Sequence, residues 1–339
     1  MARKHNEENE RIKRHYLHFL REAKRSDTKT VDKAAEAIRR FECSTGVKPF
    51  KKFHIEQAVS FKRRLEADTN SRTGKPLAKA TIDGTLRAVK AFFLWLAGQP
   101  GYKSRISYAD AEYFNLNAKD ARIAHTERDV PYPTIEQCRH AFNLMPVTTE
   151  IERRNKAIFA FLMLTGARDG AIASLRLKRI DLDQACVYQD ARDVKTKASK
   201  TFTTWFFPVG QDYVDCFADW VGHLRRDLLF GNEDALFPKP LLKQKDGAFA
   251  VVGLSRETYS DASAIREVIK GAFVNAGLPA FAPHSFRKTL VKHGDQICKT
   301  REQFKAWSQN LGHESVVTTI SAYCPVSNDR QAELIRALG

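Results

Sequence analysis

The stretch Pro283-His284-Ser285-Phe286-Arg287-Lys288-Thr289-Leu290-Val291-Lys292-His293-Gly294, and after a basic span Leu311-Gly312-His313 with Tyr323 ten residues beyond, is the part of the chain from which the rest can be read. His284 and Arg287 stand three apart, so a helix sets both on one face. Gly312 supplies a residue that can end a helix and let the His313 imidazole approach a ligand closely. Tyr323 follows a helix-compatible run. Two histidines, an arginine and a tyrosine so grouped suggest a nucleophile in a site built to hold an anion.

Working outward, Leu164-Thr165-Gly166-Ala167-Arg168 closes an apolar run that begins at Ile158 and brings a second arginine. Lys195-Thr196-Lys197-Ala198-Ser199-Lys200 lies between two strand-like segments. Taken singly, each piece has an ordinary explanation. Arg168 could be a salt-bridge arginine, Leu-Gly-His a helix end, Tyr323 half-buried core, and the lysine run a solvated turn. Taken together, in the order arginine, lysine, His-x-x-Arg, Leu-Gly-His and tyrosine, they resemble the tyrosine recombinase (phage integrase) family. The resemblance covers the C-terminal two-thirds of the chain strongly and residues 29 to 110 more loosely.

The charge points the same way. Fifty-six Lys and Arg against 40 Asp and Glu leave a formal net charge of +16 on 339 residues, which suggests a polyanionic partner, nucleic acid most often. A chain of this length holds two domains, each with its own core. The six cysteines are scattered with no C-x-x-C pair, which argues against a zinc ribbon or a disulfide framework and fits a reducing compartment. No apolar run approaches the ~18 residues of a membrane span. The charged N-terminus lacks the apolar core of a signal peptide. The expected location is therefore cytoplasmic, with no membrane partner.

The periodicity predicts a mostly α chain with a small antiparallel β-sheet, an α+β fold. Residues 1–28 read as a basic arm or helix with a partial stripe of Ile12, Tyr16, Leu17, Phe19 and Leu20. Residues 29–115 read as a helical DNA-binding domain. Its helices cover Thr30 to Cys43, about Ile55 to Leu65, and about Lys79 to Ala97, with a polar loop from Asp68 to Pro76. Lys52, Arg63, Arg64, Lys75, Lys79, Arg87 and Lys90 fall between the apolar stripes, and the Phe92-Phe93-Leu94-Trp95-Leu96 helix entered near Thr81 is similar to the family's core-binding domain. Residues 116–131 read as a linker, and 132–339 as a catalytic domain. Within the latter, Thr134 and Gln137 predict a capping box and helices cover about 135–143 and 150–165. Strands are expected at 177–182, 187–194 and 201–209, and helices at about 211–229 and 261–276. A tail helix at 329–339, with Ala332, Leu334, Ile335 and Leu338 on one side, either packs on its own domain or docks on a neighbour. The resemblance favours the neighbour.

What the resemblance implies chemically is cleavage of a phosphodiester. Arg168 and Arg287 would each grip the non-bridging oxygens. Tyr323 would attack phosphorus and form a 3′-phosphotyrosyl link. His284 and His313 would serve as proton acceptor and hydrogen-bond donor. A lysine of the turn would protonate the leaving 5′ oxygen, and Thr196-Lys197 matches the family's Thr-Lys turn, so Lys197 is chosen over Lys195 and Lys200. The expected cofactor is none, because the covalent link keeps the bond energy. The expected partners are double-stranded DNA, a homo-tetramer on DNA, and an accessory DNA-bending protein where the element requires one. The expected function is a site-specific recombinase that integrates or excises a mobile element.

Two departures from the family pattern stand out. Ala171 occupies the place, three after the first arginine, where an acidic residue is usual. The spacing from His313 to Tyr323 is one residue longer than common. Two other readings use the same residues: a type IB topoisomerase that relaxes DNA, and a non-catalytic DNA-binding regulator.

Overall fold

Two units make up the chain, Met1–Arg128 and Asp129–Gly339. The computed structural model describes residues 5–71, 73–126, 130–196, 200–245, 248–313 and the positions 333, 335 and 336. Lys197, Tyr323 and the tail helix expected at 329–339 fall outside these residues, apart from those three positions.

In the first unit, α1 (Glu7–Glu22) is capped by Asn6, whose side chain accepts the Asn9 N–H. The stripe read from the sequence is a packing face: Tyr16 is 3% exposed, and its ring lies 5.1 Å edge-on from Phe92 and 5.1 Å from Trp95. The segment set apart as an arm therefore carries a helix belonging to the unit's core. α2 (Thr28–Ser44), capped by Asp27, delivers Phe41 to a cluster with Phe50, Phe61, Phe93 and Phe114. α3 (Ile55–Ala67) and α4 (Lys79–Ala97) complete the bundle. α5 (Ala118–His125) lies within the stretch read as linker, and an ion pair of 2.8 Å from Asp120 to Lys79 ties it to α4.

The second unit is built on α7 (Glu150–Thr165), whose residues from Ala157 onward are all buried. A helix apolar on every side can only be central. α6 (Ile135–Asn143) starts with the expected Thr134–Gln137 capping box. Around α7 stand α8 (Asp169–Ile172), α9 (Gln211–Arg226), α10 (Ser263–Asn275), α11 (Pro283–Ile297) and α12 (Arg301–Asn310). The sheet β1 (Ile180–Asp181), β2 (Cys186–Gln189) and β3 (Phe202–Trp205) is antiparallel in that order, with Val187 opposite both Ile180 and Thr204.

The chain is thus mostly helical with small antiparallel sheets, as the periodicity predicts. The strands are shorter than expected. β2 stops before Asp190 because that carboxylate turns to Arg192 and Arg179, and the Val194 N–H returns to the Asp190 carbonyl. Arg192 donates to the Asp190 carboxyl and holds it below the ordinary carboxylate range. Phe207 leaves β3 because its N–H donates to the Leu164 carbonyl at the end of α7. The hairpin β4 (Pro240–Lys245) and β5 (Ala248–Leu254) is not among the expected elements. Asp246-Gly247 between the strands is the signal that could have found it. No helix among the described residues is long and apolar enough to cross a membrane.

Candidate functional site

The site is assembled at the ends of helices. α7 ends at Gly166, which has φ +56° and caps the helix by its N–H to the Leu162 carbonyl. A side chain there would start 2.7 Å from Leu311 Cδ2 and 2.9 Å from Leu290 Cδ1. Glycine is required twice over, for the left-handed backbone and for the space. The chain then turns through Ala167 to Arg168, which is extended, half-buried and the cap of α8.

α12 ends the same way. Gly312 has φ +73°, and a side chain on it would start 2.8 Å from the Phe202 ring. The His313 N–H returns to the Ser308 carbonyl at 3.3 Å. Asn310 is gripped by β3: its side chain accepts the Trp205 N–H at 2.8 Å and donates to the Trp205 carbonyl at 2.8 Å. This fixes where His313 emerges, as the Leu-Gly-His spacing implies.

Between these helix ends lies Arg287, 2% exposed. Its Nη1 donates to the Gly166 carbonyl at 2.7 Å, and its Nη2 to the Leu311 carbonyl at 2.6 Å and to His313 Nε2 at 2.8 Å. A guanidinium only donates, so His313 Nε2 is the acceptor and the ring proton sits on Nδ1. One buried cation thus pins the end of α7, the end of α12 and the tautomer of His313.

His284 lies one turn before Arg287, next to Pro283 in the first turn of α11. The two share a helix but not an environment: His284 is exposed where Arg287 is buried. Ala171 is 1% exposed, so the position where the family has an acid is filled by a methyl in the core. Asp169 pairs elsewhere, with Arg266 of α10 at 2.5 Å. Ser174 and Ser260 do not stand out in the sequence, yet they hold the start of the lysine turn. Nothing local marks them, because each acts through a partner more than 20 residues away.

A profile of the phage integrase family matches residues 136–330. Among curated proteins, a tyrosine recombinase XerC of Halalkalibacterium halodurans is 22% identical over 63% of this chain and 65% of its own length. A tyrosine recombinase XerD of Pasteurella multocida is 24% identical over 60% of each chain. The match therefore spans less than two-thirds of these relatives. Among solved structures, the Tn1549 transposon integrase in complex with transposon right-end DNA has a TM-score of 0.59 at 16% identity, over 97% of this chain and 99% of that one. A lambda integrase dimer bound to a core site has a TM-score of 0.60 at 11% identity, over 93% and 94%. At these identities the likeness is one of fold.

Proposed function

Because the chain belongs to the phage integrase family of tyrosine recombinases, we propose that it cuts and rejoins duplex DNA at specific sites through a covalent tyrosine link. The observation that carries this reading is the buried Arg287, locked between two helix ends and against His313. Burying a guanidinium is costly, and a fold bears that cost most readily where a fixed positive charge has a use. The scissile phosphate gains negative charge in the transition state, and preorganised donors in a dry site gain most there.

Arg287 and Arg168 grip the non-bridging oxygens. His313, its Nδ1 carrying the proton, donates to the same group. His284, on the exposed turn of α11, takes the tyrosine proton. An ordinary phenol with a pKa of about 10 is mostly protonated at neutral pH, so attack by Tyr323 needs that help. A lysine of the turn from Lys195 to Lys200 protonates the leaving 5′ oxygen, and the Thr196-Lys197 match puts Lys197 first on sequence. A 5′ hydroxyl from a second duplex then reverses the step and exchanges strands.

The first unit, with residues 29–115 at its centre, binds duplex DNA alongside the catalytic domain 132–339. Likeness in fold to integrases solved on DNA supports a duplex as the partner. Four copies, with the tail 329–339 of one docked on the next, would carry out integration or excision of a mobile element.

The test uses nicked duplexes drawn from DNA flanking the gene, with denaturant-resistant protein–DNA adduct as readout. Wild type forms the adduct and Tyr323→Phe does not. Sequencing the trapped DNA gives the site. An adduct that survives Tyr323→Phe refutes the nucleophile. Salt-sensitive binding with no adduct turns the reading to a regulator, and relaxation of any plasmid turns it to a topoisomerase.

A further inference from the structure

α4 carries a charged stripe. Lys79, Asp83, Arg87 and Lys90 follow at spacings of four, four and three, so they share one face of the helix. The stripe runs about 16 Å, a length over which one strand of a duplex presents about five phosphates. In the free protein the segment after α4 holds its cations. Lys90 donates to Glu112 at 2.8 Å and to Asn115 Oδ1 at 3.0 Å. Lys79 pairs with Asp120 of α5 at 2.8 Å. Arg87 Nη2 donates to His125 Nε2, also of α5, at 2.6 Å. The Lys79 pair keeps both partners charged: the bond to Asp120 raises the ammonium from its ordinary value, and the bond to Lys79 lowers the carboxyl.

The two halves of that segment are held differently. The 3₁₀ turn Tyr108–Phe114 is rooted by the buried Ala111 and Phe114, and the Phe114 ring packs on Phe41 and Phe93. α5, eight residues long, has no buried residue. Of its apolar side chains only Ala121 and Ala124 are half-buried, and Ile123 is exposed. A helix so short does not persist alone in water. The bonds to Lys79 and Arg87 are therefore what chiefly ties α5 to α4. Both cations are open to solvent, with side chains 32% and 64% exposed. Ion pairs so exposed are weak and screened by salt. A phosphate accepts from the same donors and competes for them.

We propose that α5 is an ionic latch over a phosphate-binding stripe: Asp120 and His125 hold Lys79 and Arg87 in the free protein, and duplex DNA takes over both cations and lifts α5 off α4. This rests on the reading of the first unit as a duplex-binding one. The root at Phe114 stays in place, so the release is confined to α5. Duplex binding then carries the cost of displacing Asp120, and that cost favours a dense run of phosphates over a lone anion.

The experiment uses the full chain and duplex DNA of any sequence, since phosphate contacts carry no base information. Amide hydrogen exchange over 118–125 is measured with and without saturating duplex, beside the Kd. In the wild type, duplex should raise exchange in α5 toward that of an unfolded segment while 108–114 stays protected. Asp120→Asn should show fast α5 exchange without DNA and bind duplex about two- to fivefold tighter, the scale of a surface ion pair. Glu7→Gln is the charge control, because Glu7 of the same unit forms no ion pair among the described residues; it should tighten binding less. Lys79→Gln also frees α5 but should weaken binding, since it removes a phosphate contact. Duplex that binds while α5 exchange is unchanged or slower would overturn the latch and leave the DNA reading standing. So would Asp120→Asn binding no tighter than Glu7→Gln. If the chain binds no duplex, the DNA reading falls and the latch with it.

Discussion

Asn9 in the first unit and Arg287 in the second are both buried polar hubs, and they differ in kind. Asn9 is fully buried and joins three segments: its amide donates to Glu42 at 2.8 Å and to the Lys48 carbonyl at 3.0 Å, and its oxygen accepts the Phe50 N–H at 2.9 Å. A neutral amide does this at modest desolvation cost. Arg287 joins three segments as well, but brings a full charge into the interior. Its bonds to the Gly166 and Leu311 carbonyls and to His313 orient that charge. The lesson is that a helical bundle can be pinned with an amide. A cation in the same architectural role offers, besides the pinning, a fixed charge that an arriving anion can use.

That comparison can be broken most sharply at Arg287. Arg287→Ala leaves the Gly166 and Leu311 carbonyls and His313 Nε2 without this donor, at about 1–3 kcal/mol for each buried acceptor left unsatisfied. It should abolish adduct formation even where urea titration shows the protein folded. Arg287→Lys keeps the charge but cannot reach all three acceptors, so it should recover part of the stability and little of the adduct. Full adduct from Arg287→Ala would make this arginine no more than a second Asn9.

The converse change is Asn9→Ala, which orphans the Phe50 N–H and Lys48 carbonyl and should cost about 1–3 kcal/mol. Measured by urea unfolding and by adduct yield per folded molecule, it should weaken the fold with the chemistry intact. A loss of adduct beyond the unfolded fraction would erase the distinction between the hubs.

The smallest expected effect sharpens how the charged hub is aimed. Gly312→Ala forces a side chain into a left-handed backbone and against Phe202, for about 1–3 kcal/mol. Its thermal shift should be modest, while adduct formation falls more than stability predicts, because His313 follows directly. Phe202→Leu in the same chain, giving the methyl room, should return part of the activity. No return would place the whole cost in the backbone.

Much of this molecule is legible in its residues alone. The helix of Ile158 to Leu164 shows as an unbroken apolar run, and the Thr134–Gln137 box marks its own start, because both signals are local in sequence. Gly312 before His313 announces a helix end for the same reason. Strand lengths are less legible. Asp190 and Phe207 continue a β-like pattern but are drawn off by Arg192 and by the Leu164 carbonyl, partners that the periodicity does not reveal.

The sequence by itself determined the helical class and the order of arginine, lysine, histidines and tyrosine, since periodicity and spacing are properties of neighbours along the chain. Only the tertiary structure decided that α1 packs into a core, that Arg287 is buried while His284 three residues away is exposed, and that Lys195 is held by Ser174 and Ser260. Each of those outcomes depends on groups brought together from distant positions, by packing that no short stretch encodes.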